Sequence, residues 1–333
     1  MGVIIGTIAL FFVVRFFFVL GRAKSESERK SSDGREIYLL CKAKGMDIND
    51  IHSVEYDPRA MDLVKEHVSK VTATQQEFGH TRNDIIARCI YEVWQHKQKS
   101  YIVYVVIHWG INHGFLQFKE YINSFTEGDP LSISNECINE VYNMKVLSAE
   151  IGFFGHGNQV TFIPDEVFML PNLECLYFGK GGYPEKFAVN LENIPATIQH
   201  AKKLKYLHLQ YCGLTELPRH IFTSWLEELK VGGNDIKIIP DGIANAVSLK
   251  MLTAWLNDLE YVSEKIGTLK NLKRIDFYAN PNIKLPKSIV NLGKMEEMYI
   301  DRGLPSLTPE QLSWLNENDT FAHVPDLDDD LPF

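Results

Sequence analysis

The chain has 333 residues and a formal net charge of −9 at pH 7. With that acidic balance and no basic stripe, nucleic acid is excluded as the main partner. The five cysteines, Cys41, Cys89, Cys137, Cys175 and Cys212, are odd in number, widely spaced and form no C-x-x-C pair, so neither a disulfide framework nor a zinc site is indicated.

Val3 to Leu20 is a continuous apolar run broken only by Arg15. At about 1.5 Å per residue it reaches roughly 27 Å, close to the ~30 Å hydrocarbon core of a bilayer. The expectation is a single transmembrane anchor over residues 1–21, with Arg15 snorkelling towards the flank that carries Arg22 and Lys24. A cleaved signal peptide is the alternative, for which Gly21-Arg22-Ala23 offers a faint cleavage site. Against it, nothing basic precedes the run. Arg22, Lys24, Arg29 and Lys30 lie after the span, so the positive-inside bias places the bulk of the chain in the cytoplasm. The cleaved alternative would make the protein secreted or periplasmic. Residues 22–34 read as a polar linker.

Residues 35–145 are expected to form a mostly helical domain. Met61, Val64, Val68 and Val71 make one helical stripe after Pro58, and Ile85, Ile86, Cys89, Ile90, Val93 and Trp94 make another, with Thr81 or Asn83 available as cap. Phe115, Phe118, Tyr121, Ile122 and Phe125 form a third, and Ile133, Cys137, Ile138, Val141 and Tyr142 a fourth. Tyr101 to Trp109 is apolar throughout and fits a buried strand, a core helix or a membrane-contacting segment. It is too short to span a bilayer alone. The simplest role for this domain is to shield the open N-terminal end of the repeats that begin after it.

From Leu173 onward one pattern recurs, with starts at Leu173, Leu204, Leu226, Leu249, Leu272 and Met295 and steps of 31, 22, 23, 23 and 23 residues. Such a period signals a stacked solenoid. Each unit opens as L-x-x-L-x-L-x-x-N and continues as L-P-x-x-I-x-x-L. Examples are Leu226, Leu229, Val231, Asn234, Ile236, Ile239-Pro240 and Ile243. A weaker unit fits Phe153, Asn158, Val160, Ile163-Pro164 and Val167, started 23 residues before Leu173 at Glu150. Alternating leucines put two side chains on one face of a short strand. Asn234, Asn257 and Asn280 are placed to bond the backbone of neighbouring turns, with Cys212 replacing the amide in one unit. Proline at 164, 195, 218, 240 and 286 comes after the strand and turn, with Ser263 the exception.

These motifs resemble the leucine-rich repeat family over about residues 146–316, in the subclass of Ras-pathway scaffolds, plant intracellular repeat proteins and volume-regulated anion channels. The resemblance implies an α/β fold: a leucine-rich-repeat solenoid with short parallel strands on its concave face, here preceded by the helical domain and the single N-terminal transmembrane helix. The surplus of the long unit lies around Gly179 to Asn190 and reads as a loop. Thr308-Pro309-Glu310 marks the start of a capping helix. Residues 317–333 form an acidic tail.

The chemistry of catalysis is not written in the chain. It holds no GxxxxGK[ST], GxGxxG after a strand, HExxH or G-x-S-x-G. His108 and His113 match no ligand spacing, and His156 falls in a strand-to-turn region. Asp47-Ile-Asn49-Asp50 begins like a calcium loop but meets Pro58 where a bidentate Glu is needed. No metal, cofactor or catalytic residue is expected, and the chain is not expected to be an enzyme, although an uncharacterised site in residues 35–145 is the third alternative. In the geometry the family implies, residues between the strand leucines face outward. That selects Tyr177, His208, Lys230, Asp276 and Tyr299, then Tyr211, Trp255 and Tyr278, as a surface for a protein or peptide partner. The expected function is a membrane-anchored interaction scaffold, held to the membrane through residues 3–20.

Overall fold

The computed structural model describes residues 26–75, 81–121, 130–149, 160–178, 189–301, 304 and 306–318. The apolar run Val3–Leu20, most of the surplus after Tyr177 and the acidic tail lie outside the described residues. Among the described residues no helix is long and apolar enough to cross a membrane. The chain divides into two compact units, residues 1–101 and 102–333.

The first unit is helical. It comprises α1 (Glu26–Ala43), α2 (Ile48–Glu55), α3 (Pro58–Gln75) and the first part of α4 (Arg82–Asn112). The expected linker is corrected here, since from Glu26 it is already helix. Ile37 and Cys41 are buried one turn apart, and a helix anchored by such a stripe extends backward more cheaply than a new one nucleates. On α3, Ala60, Val64 and Val68 are buried at i, i+4 spacing, and on α4 Ile86, Cys89, Ile90 and Val93 are buried. Asp47 is the N-cap of α2: its carboxylate accepts from the Asn49 and Asp50 amides at 2.7 and 2.9 Å, and Asp50 returns the bond. The calcium-like tetrapeptide is thus a capping box. Lys97 on α4 donates to Ser53 O at 2.5 Å and to Asp57 Oδ2 at 2.7 Å.

The second unit opens with the last turns of α4, where Val103, Val106, Ile107 and Trp109 are buried. Tyr101–Trp109 is therefore helix. Next come a 3-10 turn, Leu116–Tyr121, and α5 (Asn135–Tyr142), so the third apolar stripe is 3-10 rather than α as far as it is described. Trp109 meets Phe115 edge-on at 4.9 Å and Phe178 at 6.0 Å, joining this end to the repeat core.

The repeats supply β1 (Val146–Ser148), β2 (Cys175–Phe178), β3 (Tyr206–Leu209), β4 (Glu228–Lys230), β5 (Ile238–Ile239), β6 (Met251–Thr253), β7 (Tyr261–Val262), β8 (Arg274–Asp276) and β9 (Glu297–Tyr299). Seven form one parallel sheet in the order β1-β2-β3-β4-β6-β8-β9, and β5 pairs with β7. The register puts Leu147, Leu176, Leu207, Leu229, Leu252, Ile275 and Met298 in one row. All are buried, each worth about 1.5–3 kcal/mol of transfer free energy. The first strand of the sheet is Val146–Ser148, aligned with Cys175–Tyr177, while Phe153 and Asn158 of the expected weaker unit lie outside the described residues. Val160, Ile163 and Val167 of its second half are buried as expected.

Pro164, Pro195, Pro218, Pro240 and Pro286 each sit immediately before a 3-10 helix, with extended backbone. Ser263 takes the same place in its unit, and its hydroxyl caps the Lys265 amide and bonds Asp241. The asparagines bond as expected. Asn257 Oδ1 accepts from Ile236 N at 3.0 Å while its amide donates to Val231 O and Ala254 O. Asn234 and Asn280 repeat the arrangement one unit to either side.

Both ends of the array are closed by side chains. At the first, Gln117 Nε2 donates to Val146 O at 3.0 Å and its Oε1 accepts from Ser148 N at 2.8 Å, so one carboxamide occupies the place of a further strand. At the last, α6 (Pro309–Glu317) carries the expected cap: Thr308 and Gln311 form a capping box. Gln311 Nε2 also donates to Leu285 O and Pro286 O, and Trp314 Nε1 to Gly293 O. Asn318 is buried, its Oδ1 accepting from Met295 N.

Candidate functional site: the strand face of the solenoid

Side chains alternate along each strand, so the residues flanking the buried central row point to the opposite face of the sheet. The register places Ser148, Tyr177, His208, Lys230, Thr253, Asp276 and Tyr299 in one such row, about 4.8 Å apart. The parallel row is Val146, Cys175, Tyr206, Glu228, Met251, Arg274 and Glu297. Five of the expected partner-binding residues are thus neighbours in a single ladder.

They are not equally exposed. His208 and Lys230 are buried, at 1% and 5% exposure, which corrects the expectation of an open surface there. The ring of Tyr177 meets His208 edge-on at 5.9 Å, and Glu228 Oε2 stands 3.6 Å from His208 Nε2. That separation is too long for a hydrogen bond. The buried Nε2 of His208 and Oγ1 of Thr253 have no hydrogen-bond partner among the described residues.

Beyond the strand ends the chain turns through a second row. Tyr211, Gly233, Leu256 and Ala279 all have positive φ, at 55°, 68°, 48° and 58°. Glycine takes this conformation without penalty, whereas tyrosine, leucine and alanine hold it at a cost. The turns are locked across repeats: Tyr211 N donates to Gly232 O, Gly233 N to Trp255 O and Leu256 N to Tyr278 O. Missing side chains make room for rings. A Cβ on Gly232 would lie 2.4 Å from Trp255 Cε2, and one on Gly233 would lie 2.5 Å from Tyr211 Cδ1. Trp255 and Tyr211 therefore lie on a glycine floor, paired edge to face at 5.5 Å and 75°. Tyr278 and Leu256 beside them are 53% and 51% exposed.

The far end of the face is acidic. Asp276 accepts from Tyr278 N at 3.0 Å, and Asp301 from Ala279 N at 3.1 Å. Burial pushes the Asp276 carboxyl up to about 6, the Tyr278 amide works against that rise and the negative Asp301 adds to it. Sequence reading missed Glu228, the companion of His208, because it occupies the other outward row. It also missed the strained turn position, for which only Gly233 among Tyr211, Leu256 and Ala279 carries a sequence signal.

In the first unit His52 Nε2, Glu55 Oε2 and Trp94 Nε1 are each buried without a hydrogen-bond partner among the described residues. Burial pushes Glu55 up to about 7. Among the described residues no group of three or more His, Cys, Asp or Glu could hold a metal ion.

In-register parallel strands, a ladder of buried asparagines and 22- to 23-residue steps define the second unit as a leucine-rich-repeat solenoid, a fold whose stacked units generally serve protein–protein interaction. No family model matches the chain. It is similar to the volume-regulated anion channel subunit LRRC8A of Rattus norvegicus, with 29% identity over 122 residues, 34% of this chain and 15% of that protein. It is also similar to subunit LRRC8B of Mus musculus, with 32% identity over 167 residues, 49% of this chain and 18% of that protein. The chain thus matches less than a fifth of the length of these curated relatives. Among solved structures, a leucine-rich-repeat protein of Leptospira interrogans matches with a TM-score of 0.40 and 26% identity, covering 56% of this chain and 50% of that one.

Proposed function

We propose that the chain is a non-enzymatic recognition protein that binds a protein or peptide across the concave strand face of its solenoid, and that residues 3–20 hold it at a membrane with the solenoid in the cytoplasm. The observation that carries this reading is the Tyr211–Trp255 pair on its glycine floor, flanked by exposed Tyr278 and Leu256. Rigidly seated aromatics beside charge are the composition of an interaction hot spot. Tyr177, Asp276 and Tyr299 extend the same face along the ladder, with His208 and Lys230 buried within it.

Partner capture from native membranes tests it. Trp255→Ala with Tyr278→Ala is expected to reduce recovery of the principal partner by about tenfold or more, the loss of one hot spot; an unchanged partner set sinks the concave-face reading. Intact mass of the mature N-terminus decides the membrane anchor, because loss of residues up to about Ala23 makes the protein secreted or periplasmic. A catalytic first unit is the remaining reading, and the buried, unmet Glu55 Oε2, with its carboxyl pushed up to about 7 by burial, is the observation that favours it. Activity-based labelling of Glu55 that Glu55→Gln abolishes would establish it.

A further inference from the structure

Of the repeat starts, five are tied off in the same way. The amides of Leu173, Leu204, Leu226, Leu249 and Leu272 each donate to a carbonyl three residues earlier in their own return segment. The start at Met295 differs. The 3-10 helix before it, Lys287–Leu292, ends on Gly293 at φ 74°, and the Met295 amide donates instead to Oδ1 of Asn318 at 2.6 Å. Asn318 is 5% exposed. Its Nδ2 donates to Trp314 O at 2.8 Å, while Trp314 Nε1 donates to Gly293 O. One carboxamide thus joins α6 to the last repeat, at a point where the five earlier starts take their acceptor locally. Without it the buried Met295 amide would lose its acceptor, the costly way to break a hydrogen bond.

The same residue opens Asn318-Asp319-Thr320, an acceptor sequence for N-glycosylation. That reaction forms a bond from the asparagine Nδ2 to the anomeric carbon of a lipid-diphosphate-linked oligosaccharide; the lipid diphosphate leaves and one Nδ2 proton is lost. A bulky, solvated sugar cannot stand on a side chain that is 5% exposed and bonded through both of its polar atoms. We propose that Asn318 is the latch of the terminal cap and that its glycosylation and closure of the cap exclude one another, so that the solenoid folds in a compartment where N-glycosylation does not occur. Nothing in this depends on the strand face, so it goes beyond the recognition reading. It bears on the anchor instead. A solenoid held on the cytoplasmic side meets the condition without further provision, whereas entry into a glycosylating lumen would modify Asn318 before α6 could bury it.

Two measurements on the detergent-solubilised full chain test this. The first is amide hydrogen exchange of the peptide containing Met295. Asn318→Ala is expected to speed exchange there by about tenfold or more, as loss of a buried acceptor would, while Thr320→Ala, which removes the acceptor sequence and keeps the carboxamide, is expected to match wild type. Unchanged exchange in Asn318→Ala overturns the latch. The second uses an oligosaccharyltransferase, with its lipid-linked oligosaccharide, that glycosylates the isolated tryptic peptide 303–333. The folded chain is expected to be modified at Asn318 at least about tenfold more slowly than that peptide, as burial of the acceptor requires. Equal rates, or a glycosylated chain whose Met295 exchange equals that of Thr320→Ala, overturn the mutual exclusion. Mapping of the chain recovered from native membranes is expected to show Asn318 unmodified; a glycan there overturns the proposal and leaves the strand-face reading standing.

Discussion

The repeats contain two sets of buried polar side chains with opposite fates. Asn234, Asn257 and Asn280, all 6% exposed or less, have donors and acceptors satisfied by backbone groups of their own and adjacent turns. His208 is as deeply hidden, yet its Nε2 is unmet among the described residues, as is Thr253 Oγ1 two strands along the ladder. Burial is the same and bonding is not, so the two sets should contribute to stability with opposite sign. The asparagine ladder holds the array together. The strand-face row is left with capacity that the fold itself does not use.

The contrast breaks most readily at Asn257. Asn257→Leu leaves Ile236 N without its acceptor and removes one of the two asparagine donors to each of Val231 O and Ala254 O, and urea unfolding is expected to show a loss of about 1–3 kcal/mol. A loss below about 0.5 kcal/mol would mean the amide bonds are replaced by relaxation and the ladder is not what holds the turns. A smaller effect is expected at Asp276. Its folded-state carboxyl stands at about 6 against an ordinary value of 3.8, so the fold favours the protonated form. Its stabilising contribution is full below about 3.8 and is lost as pH rises through about 6. Asp276→Asn should therefore raise stability at pH 8 by about 1 kcal/mol and leave it nearly unchanged at pH 3.5, a difference that paired melts would read directly. Equal effects at the two pH values would remove the desolvated carboxylate from the picture. The smallest change is expected at His208, where His208→Leu removes an unmet nitrogen and should fall within about 1 kcal/mol of wild type in either direction. A loss above about 2 kcal/mol would show that the imidazole contributes as the asparagines do.

Repetition decides which features are legible in the sequence. The row from Leu176 to Met298, the asparagines and the proline positions recur at fixed intervals, and each unit checks the next, so their register emerges without coordinates. The first strand does not. Its central Leu147 lies 29 residues before Leu176, which breaks the 22- to 23-residue interval. Tyr101–Trp109 resists assignment because an unbroken apolar run has no period, and only its continuation through α4 resolves it as helix. At the site, the ladder order of Tyr177, His208, Lys230, Asp276 and Tyr299 is legible from spacing. The burial of His208 and Lys230 is not, since it depends on how neighbouring rings and stems lean across strands. The strained turn is equally hidden, because Tyr211, Leu256 and Ala279 share a backbone conformation that their side chains do not advertise.

The carboxamide of Gln117 has a consequence for how such a protein can change over time. Because it satisfies Val146 O and Ser148 N on the first strand, that edge offers no free template for a foreign strand, and α6 packs over the last return segment through Gln311 and Trp314. Length is then most simply varied in the interior, where the junctions made by Asn234, Asn257 and Asn280 present the same leucine row and the same asparagine bonds. Duplication or loss of a 23-residue unit between β6 and β8 would leave the bonds of Gln117 and of α6 intact and move His208 and Asp276 apart or together by one strand. The spacing that such a surface reads is thus a quantity that whole-unit gain or loss can tune, with no residue at either end needing to change.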